Sequence, residues 1–536
     1  MEKIKIIPII VWLVLVNTVH AQTTDAGVWV PDNGDGTYKN PIIHQDYSDP
    51  DVVKVGDDFY MTASSFNCVP GLPILHSKDL VNWELVNYAI PHFPDNEFDT
   101  PQHGNGVWAP SIRFHDGDYY IYWGDPDRGI YMVKASDPMG KWSAPVLIKK
   151  AKGNIDPSPI WDEDGKVYLV HAFARSRSGV KHLLQIHELS SEGDEVLDDG
   201  TIIFDGNPKH PTIEGPKFIK RNGYYYIFAP GGGVSTGWQV VLRSKNIYGP
   251  YEDKIVLAQG DTDINGPHQG GYVELENGEG WFLHFQDKGV YGRIVHMQPV
   301  KWINDWPIMG SDPEGKGTGE PVLVYNKPKV KGTHPKLWLP TSDDFSHGYG
   351  LQWQWHANFY EHWYSTTEKE GHLRLHSQFV REYMLNLWEA PNLFLQKFPA
   401  PSFTATAKID FSNLKENERA GLIVMGYDIF TLEVEKKENQ FHIKNVATIE
   451  ARRNNSERTI KTAKVNNPEL HLRVVVEEKG LSTFFYSTDG RNYTQLGDKF
   501  QARQGHWIGA KVGLFANAKK ELGMKGYIDI DNFIVE

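Results

Sequence analysis

Residues 49–64 read Asp-Pro-Asp-Val-Val-Lys-Val-Gly-Asp-Asp-Phe-Tyr-Met-Thr-Ala-Ser, and this short stretch already suggests a β-hairpin. An Asp-Pro turn is followed by an apolar strand, a tight turn at Gly56-Asp57, and a second strand rich in aromatic and apolar residues. Pairs of Gly with Asp or Asn between two β-rich runs are strong hairpin signals, because the central residues of type I′ turns need positive φ angles. The stretch therefore predicts two antiparallel strands behind an acidic turn residue.

The same pattern recurs four more times, although the last copy is looser. The further copies begin at Ala109, Asp156, Glu214 and His268, and the five hairpins have their turn glycines at Gly56, Gly117, Gly165, Gly223 and Gly280. These glycines lie roughly 50 to 60 residues apart, which suits one four-stranded propeller blade for each copy. Five copies predict a five-bladed β-propeller over residues 40–330.

A second domain is expected after residues 331–340, a Lys-, Pro- and Gly-rich segment with the composition of a linker. From 341 to 536 the blade pattern is absent, and longer alternating strands take its place, for example at 403–410 and 470–477. Such strands, separated by turn residues, are typical of a β-sandwich. The chain is therefore predicted to be all-β, with residues 22–39 as a lead-in, a five-bladed propeller and a C-terminal β-sandwich.

The composition supports this fold class and excludes one class of partner. The 536 residues include 50 Gly, 32 Pro and 12% aromatic residues, which favours strands and turns over helices. The formal net charge of -13 argues against nucleic acid as a partner, because phosphates are bound by surfaces rich in Lys and Arg.

Residues 1–21 have the pattern of a secretory signal peptide. Two lysines precede an apolar run at 6–16, and Val19-His-Ala21 fits a small-residue cleavage site. The apolar run is too short for a membrane span, although a membrane anchor is the alternative. We therefore expect a mature chain that begins near Gln22, has no membrane span and is exported, either to the periplasm or as a secreted protein. Its single cysteine, Cys68, excludes an internal disulfide.

Three of the five copies carry a carboxylate just before the hairpin, at Asp49, Asp156 and Glu214. The innermost strands of propeller blades meet around one axis, so these acids are predicted to converge on one pocket. Crowded carboxylates repel one another, which raises the pKa of at least one and leaves a proton donor beside an ionised acceptor. Glycoside hydrolysis needs this division, because one acid protonates the leaving oxygen while another carboxylate activates water. The alternative is structural, since Asp before Pro often caps a turn.

Taken in order, the motifs around these acids resemble those of glycoside hydrolase family 43. They are Asn40-Pro-Ile-Ile43, Ser48-Asp-Pro-Asp51, Trp108-Ala-Pro110, Ile155-Asp-Pro-Ser158, Ile213-Glu-Gly-Pro216 and His268-Gln-Gly-Gly271. The C-terminal sandwich is similar to the one in the exo-acting branch of that family, which contains β-xylosidases and α-L-arabinofuranosidases. The resemblance implies a propeller enzyme that acts on arabinose- and xylose-containing glycans of plant cell walls and needs no organic cofactor.

By this resemblance Asp49 is the general base that activates water and Glu214 is the general acid. Asp156 would modulate the pKa of the acid and help to hold the sugar. The family inverts the anomeric configuration, so Asp49 and Glu214 are expected to stand roughly 6.5 to 9.5 Å apart. A spacing of about 5 Å would favour a retaining nucleophile instead.

Five further residues are assigned by the same resemblance. Phe66 and Trp108 would line the sugar pocket, unless they belong to the core of their blades. Arg293 would contact the substrate, with a surface ion pair as the alternative, and Trp507 would reach over the pocket mouth from the sandwich. His268 matches a residue that, in many relatives, contacts a calcium ion or its water shell, and a bound calcium would be structural.

One departure from the family pattern bears on the sugar. After Phe66 the chain reads Asn67-Cys-Val-Pro-Gly71, where comparable xylosidases carry acidic and aromatic residues. This difference favours release of terminal non-reducing α-L-arabinofuranosyl residues from arabinoxylan, arabinan or xyloglucan. β-D-Xylosidase or dual activity is the alternative within the class. A carbohydrate-binding propeller without catalysis and an endo-acting arabinanase are further alternatives.

Overall fold

The computed structural model describes residues 27–381, 383–518 and 526–536. The predicted signal peptide and the expected mature N-terminus near Gln22 lie outside these ranges. Nearly all regular structure within them is β, which confirms the predicted fold class. The helical turns are α1 (Arg175–Ser178) and 3-10 segments at Asn96–Asp99, Gly289–Tyr291, Glu361–Trp363, Ala451–Arg453 and Glu478–Gly480. None of the helices in the described ranges has the length and hydrophobicity needed to span a bilayer.

The described residues form five consecutive four-stranded antiparallel sheets, which confirms the predicted five-bladed propeller. After a short strand β1 (Thr37–Lys39), blade one contains β2 (Asp51–Val55), β3 (Asp58–Thr62), β4 (Gly71–Ser77) and β5 (Trp83–Ile90). Blade two contains β6 (Trp108–His115), β7 (Asp118–Asp125), β8 (Gly129–Ala135) and β9 (Val146–Lys150). Blade three contains β10 (Asn154–Trp161), β11 (Val167–Phe173), β12 (Leu183–Leu189) and β13 (Thr201–Asp205). Blade four contains β14 (Lys217–Arg221), β15 (Tyr224–Gly231), β16 (Trp238–Ser244) and β17 (Glu252–Leu257). Blade five contains β18 (His268–Glu274), β19 (Gly280–Asp287), β20 (Arg293–Ile303) and β21 (Trp306–Met309).

The ring of blades is closed near its axis and at its two chain ends. Strand β2 packs against both β6 and β18, so blade one contacts blades two and five. Strand β1 pairs with β22 (Val324–Asn326), and the Asn40 side-chain amide donates to the carbonyls of Met297 and Val322. The lead-in is therefore partly a strand, and it joins the beginning of the propeller to its end.

The five turn glycines differ in conformation. At Asp116-Gly117 and Asn222-Gly223 both residues have positive φ, as a type I′ turn requires. In the first hairpin only Gly56 has positive φ, which fits a type II′ turn with Gly in first position. The prediction for the last hairpin is wrong in detail, because Gly280 is the first residue of β19 and the turn glycine is Gly278, with φ of +84°.

The second domain contains two eight-stranded sheets within the described residues, in agreement with the predicted sandwich. Its strands are β23 (Gln354–Trp355), β24 (Tyr364–Ser365), β25 (Leu373–His376), β26 (Gln378–Phe379), β27 (Phe394–Lys397), β28 (Phe403–Asp410), β29 (Glu418–Met425), β30 (Ile429–Lys437), β31 (Gln440–Thr448), β32 (Arg458–Val465), β33 (Glu469–Val476), β34 (Leu481–Ser487), β35 (Thr494–Gln495), β36 (Phe500–Gln501), β37 (Lys511–Ala518) and β38 (Tyr527–Val535). One sheet has the order β23-β27-β37-β29-β30-β31-β32 with β26 beside β37. The other has the order β24-β25-β38-β28-β33-β34-β35 with β36 beside β34. Aromatic rings such as Trp353, stacked on Phe394 at 4.4 Å, fill the space between the sheets.

The two domains are joined by main-chain hydrogen bonds. Val69, between β3 and β4, exchanges both N–H···O bonds with Trp355 of the sandwich at 3.0 and 2.7 Å. Asn358 N–H donates to the carbonyl of Phe98 in the propeller at 2.6 Å. These contacts hold the sandwich against blade one and bring its loop at 505–509 to the face of the propeller where the acids lie.

Candidate active site

The three predicted acids line one pocket at the centre of the propeller. Residues from all five blades and one residue of the sandwich form its wall, and the full set is Asp49, Phe66, Trp108, Ala109, Ile155, Asp156, Glu214, Val234, Gln269, Arg293 and Trp507. Seven residues predicted from the sequence, namely Asp49, Asp156, Glu214, Phe66, Trp108, Arg293 and Trp507, are therefore brought together. His268 lies directly behind this wall, in contact with Glu214.

Each blade has a backbone kink at the same position, and these kinks direct the side chains into the pocket. In every blade one residue at the entrance to the innermost strand has positive φ, and these residues are Asp49, Ala109, Asp156, Gly215 and Gln269. The ladders of blades two, three and five shift register at the kink, as a β-bulge does when it redirects a side chain next to a functional site. Glu214 therefore comes one residue before the position that matches Asp49 and Asp156, which the sequence comparison of the copies did not reveal.

Asp49 is buried and held by three donors. Its Oδ2 accepts hydrogen bonds from Ser48 Oγ at 2.8 Å and from Ser64 Oγ at 2.6 Å. Nη1 of Arg293 lies 3.4 Å from the same oxygen and donates to Ser48 Oγ at 2.7 Å. Ser64 also accepts from the main-chain N–H of Ala109 at 2.7 Å, so the carboxylate is fixed by three blades at once.

Asp156 is an acid whose pKa is strongly raised. Burial and the negative charges of Glu214 and Asp49 raise the pKa of Asp156 well above its usual range, although the Gly215 N–H bond at 2.7 Å and the charge of Lys217 oppose this shift. Lys217 is itself buried, and its ammonium donates to the carbonyl of Pro110 at 3.1 Å. A carboxyl group that keeps its proton can donate a hydrogen bond to a sugar hydroxyl.

Glu214 is the most accessible of the three acids, with 22% of its side chain exposed. Its Oε1 lies 2.9 Å from Nε2 of the fully buried His268. Among the residues that the structure describes, Nδ1 of His268 has no hydrogen-bond partner, so Glu214 is the polar neighbour that orients the ring. Glu214 is accessible and oriented, Asp156 is buried, and Asp49 is held by three donors. Three acids in such different surroundings can have separate roles, so that one donates a proton while another activates water.

The residues around His268 do not fit a directly bound calcium ion. Calcium prefers oxygen ligands, whereas His268 offers a nitrogen. In the described ranges no group of three or more His, Cys, Asp or Glu side chains is arranged to hold a metal. Below the three acids, the buried carboxylate of Asp51 already faces the cations of Lys217 and Arg113, so its charge is balanced without a metal ion. The contact of His268 with a hydrated calcium stays a prediction, and no step below uses it.

The mouth of the pocket is aromatic. Trp108 lies edge-to-face with both Phe66 and Trp507, with ring centroids 6.4 and 6.1 Å apart. The guanidinium carbon of Arg177 lies 5.8 Å from the Trp108 ring, and that of Arg293 lies 5.5 Å from the Trp507 ring. Trp507 is 44% exposed, which leaves a flat ring free to cover the apolar side of a sugar.

Several residues of the site were not found from the sequence. Ser64 and Lys217 carry no signal of their own, because a Ser just after a strand and a Lys at the start of one are ordinarily structural. Arg177 lies in the short helix α1, in a run of alternating Arg and Ser that matches no blade pattern. Val234 follows a run of three glycines that begins at the last residue of β15, and such a run is at most a sign of a loop.

Comparison with known proteins agrees with this architecture. Residues 38–307 match the family model described as glycosyl hydrolases family 43, and residues 342–536 match the beta xylosidase C-terminal Concanavalin A-like domain. The chain is 38% identical over 523 residues to a Xylanibacter ruminicola protein with a beta-xylosidase name, covering 94% of each chain. It is 34% identical over 420 residues to the non-reducing end alpha-L-arabinofuranosidase BoGH43B of Bacteroides ovatus, covering 73% of this chain and 74% of that one.

A solved structure is similar over both domains. The GH43 protein BlXynB of Bacillus licheniformis is 27% identical, and the match has a TM-score of 0.79 and covers 93% of this chain and 99% of that one. Fold, order of motifs and sequence identity all point the same way, and the chain belongs to glycosyl hydrolase family 43 and carries the C-terminal concanavalin A-like domain.

Proposed function

We propose that the protein is an exo-acting, inverting glycosidase that releases single terminal pentosyl units from plant polysaccharide side chains or oligosaccharides. The observation that carries this proposal is the single pocket in which Asp49, Asp156 and Glu214 face one another. Trp507 of the sandwich covers one side of that pocket, which favours binding of a chain end over binding along a chain.

In the proposed reaction Glu214 protonates the glycosidic oxygen as the bond to the anomeric carbon breaks. Asp49 takes a proton from a water molecule, and the resulting oxygen nucleophile attacks the opposite face of the sugar. Ser48, Ser64 and Arg293 keep Asp49 in place by the hydrogen bonds described above. Asp156, with its raised pKa, donates a hydrogen bond to a sugar hydroxyl and limits the negative charge near the acid.

We propose terminal β-D-xylosyl units as the first candidate and α-L-arabinofuranosyl units as the second. Residues 67–71, whose sequence favours arabinofuranose, are not among the residues that line the pocket. Asn67 donates to the carbonyl of His356 in the sandwich, and Cys68 packs against Lys511. The relative that matches over 94% of each chain has a beta-xylosidase name, which supports xylose. BoGH43B supports arabinofuranose.

Assays with nitrophenyl β-D-xyloside and nitrophenyl α-L-arabinofuranoside test the proposal directly. We expect turnover of at least one, with higher kcat/KM on the xyloside, and an NMR spectrum taken early in the reaction should show the inverted anomer first. Turnover of neither, with sugar binding intact, would favour a carbohydrate-binding propeller. Short oligosaccharides from linear arabinan, without single pentoses, would favour an endo-acting arabinanase. Product analysis on arabinoxylan and xyloglucan oligosaccharides then identifies the linkage.

A further inference from the structure

Asp46 is a buried acid that does not line the sugar pocket but joins the two domains behind it. Its Oδ1 accepts the main-chain N–H of Arg293 in the propeller at 2.9 Å. Its Oδ2 accepts the main-chain N–H of Gly509 in the sandwich at 2.9 Å. The next residue, Tyr47, donates its own N–H to the carbonyl of Arg293 at 3.1 Å, so the backbone of Arg293 is held from both sides.

The two domains approach closely around this carboxylate. A Cβ added at Gly292 would lie 2.4 Å from Cγ of Asp46 and 2.6 Å from the nitrogen of Gly509. A Cβ added at Gly509 would lie 2.7 Å from the nitrogen of Gly292. Two backbones therefore pass each other with no side chain between them, and Asp46 bonds to both.

A half-buried lysine faces the same carboxylate. The ammonium of Lys397, in β27, lies 3.4 Å from the centroid of the Tyr47 ring and is attracted by the charge of Asp46. Burial lowers the pKa of Lys397 to about 7 and raises the pKa of Asp46. A junction packed as closely as Gly292 and Gly509 transmits small displacements to its neighbours, because packed interiors deform little.

Both chain segments that bond to Asp46 continue to the pocket. On the propeller side, the next groups are the guanidinium of Arg293, Ser48 and Asp49. On the sandwich side, Trp507 lies two residues before Gly509 in a loop closed by the Gly505 N–H bond to the carbonyl of Ile508. Trp507 has φ of +64°, a left-handed conformation that a bulky residue adopts only when its surroundings impose it.

We propose that Asp46 is a positioning residue that fixes the Trp507 loop of the sandwich and the backbone of Arg293 in one arrangement. The same carboxylate then fixes the position of Trp507 in the pocket wall and the position of Arg293 beside Asp49. The effect on turnover rests on the proposed function, whereas the structural coupling does not.

The test is Asp46→Asn, whose amide NH₂ cannot accept one of the two N–H groups. We expect kcat/KM to fall about 10- to 100-fold, in line with the effect of small misplacements on catalysis. In a Trp507→Ala background the same substitution should cost less than in the wild type, because the loop has lost its pocket side chain and only the effect through Arg293 remains. Asp343→Asn is the matched control, since Asp343 also accepts main-chain N–H groups, from Phe345 and Gly350, but lies within the sandwich.

Cys68 supplies a readout that needs no sugar. It is the only cysteine of the chain, and it is buried at the domain junction with Sγ 3.0 Å from Nζ of Lys511. We expect a thiol reagent to label Cys68 at least about tenfold faster in Asp46→Asn than in the wild type or in Asp343→Asn, because labelling follows local opening. Gly509→Ala, which pushes the loop from the other side, should do the same and serves if Asp46→Asn does not fold.

The proposal fails if the labelling rate is unchanged in the folded variants. It also fails if the losses of Asp46→Asn and Trp507→Ala in kcat/KM are additive, or if Asp343→Asn reduces kcat/KM as much as Asp46→Asn does. An inactive wild type would instead contradict the proposed function, and the labelling comparison would still decide the role of Asp46.

Discussion

Asp49 and Glu214 are both carboxylates of one pocket, but their surroundings differ. Asp49 is buried and accepts hydrogen bonds from two hydroxyls and a guanidinium, which hold its carboxylate in one position. Glu214 is more exposed, and its side chain lies within hydrogen-bond distance of His268. A side chain of this kind can reach a leaving-group oxygen, so the two acids should respond differently to the choice of substrate.

Glu214→Gln should reduce kcat/KM on a natural oligosaccharide about 10²- to 10⁴-fold, the usual contribution of a general acid. On a dinitrophenyl glycoside, whose leaving group needs no protonation, the loss should be much smaller. Asp49→Asn is the matched variant and should lose activity on both substrates, because attack by water is needed in each. Equal losses on the two substrates for Glu214→Gln would contradict its assignment as the acid.

The role of Arg293 can be tested by a single substitution. Its planar guanidinium reaches Ser48 and Asp49 through Nη1 while its carbon lies 4.9 Å from the centroid of the Phe285 ring. Lysine cannot reproduce this geometry, so Arg293→Lys should lower kcat/KM by about tenfold or more despite the conserved charge. Michaelis–Menten analysis on the preferred nitrophenyl glycoside measures the change, and near-normal kcat/KM in Arg293→Lys would assign the residue to charge balance alone.

At the scale of elements, the segment 101–107 between blades one and two carries the contact with the sandwich loop. Gly104 has φ of +79°, and a Cβ there would lie 2.0 Å from the His506 ring and 2.9 Å from the Trp507 ring. Trp108 donates its indole N–H to the carbonyl of Gly104 at 2.7 Å. The pocket mouth therefore depends on a close approach that only glycine allows.

Gly104→Ala should reduce kcat/KM by about tenfold or more, because the added methyl group displaces Trp507 and Trp108 together. Gly117→Ala is the control, since Gly117 also has positive φ, +89°, but has no atom within 4 Å of the added Cβ. Gly117→Ala should lower the free energy of unfolding by about 1 kcal/mol and leave kcat/KM unchanged. Kinetics and thermal unfolding of the two variants side by side provide the check, and equal kcat/KM values would contradict this role for the segment.

At the scale of the whole molecule, the propeller and its junction with the sandwich bury neutral histidines. Burial lowers the pKa to about 4 for His44, His103 and His284 and to about 3 for His171. In the unfolded chain these rings take up protons below about pH 6.5. The folded state binds fewer protons over that range, so its stability falls as the pH falls from about 6.5 towards 4.

Each of these histidines should remove up to about 1.4 kcal/mol of unfolding free energy per pH unit within that window. Carboxyls with raised pKa, such as Asp46 and Asp156, act in the opposite direction and reduce the total slope. Urea unfolding between about pH 7.5 and pH 5 measures the slope, and His171→Gln should reduce it by about one proton. A slope that is unchanged in His171→Gln would contradict burial of that ring in its neutral form.

The sequence by itself determined the blades, the sandwich and the identities of the acids. Turns such as Asn222-Gly223 depend on the φ preferences of two adjacent residues, so they can be read locally, and their regular repetition fixes the number of blades. The resemblance carried Arg293 and Trp507, which the structure also brings to the pocket. The sequence did not show that the kink in blade four falls at Gly215, one residue after Glu214, because a backbone kink does not change the spacing of residues along the chain.

Only the tertiary structure decided how the site is held. Arg293 and Asp49 are 244 positions apart, and Asp46 and Gly509 are 463 apart, so their contacts exist only once the ring has closed and the sandwich has docked. The raised pKa of Asp156 likewise comes from burial and from charges on other blades. Local chemistry selects turns and strands, whereas the positions of charges and donors around a carboxylate depend on segments that meet in space.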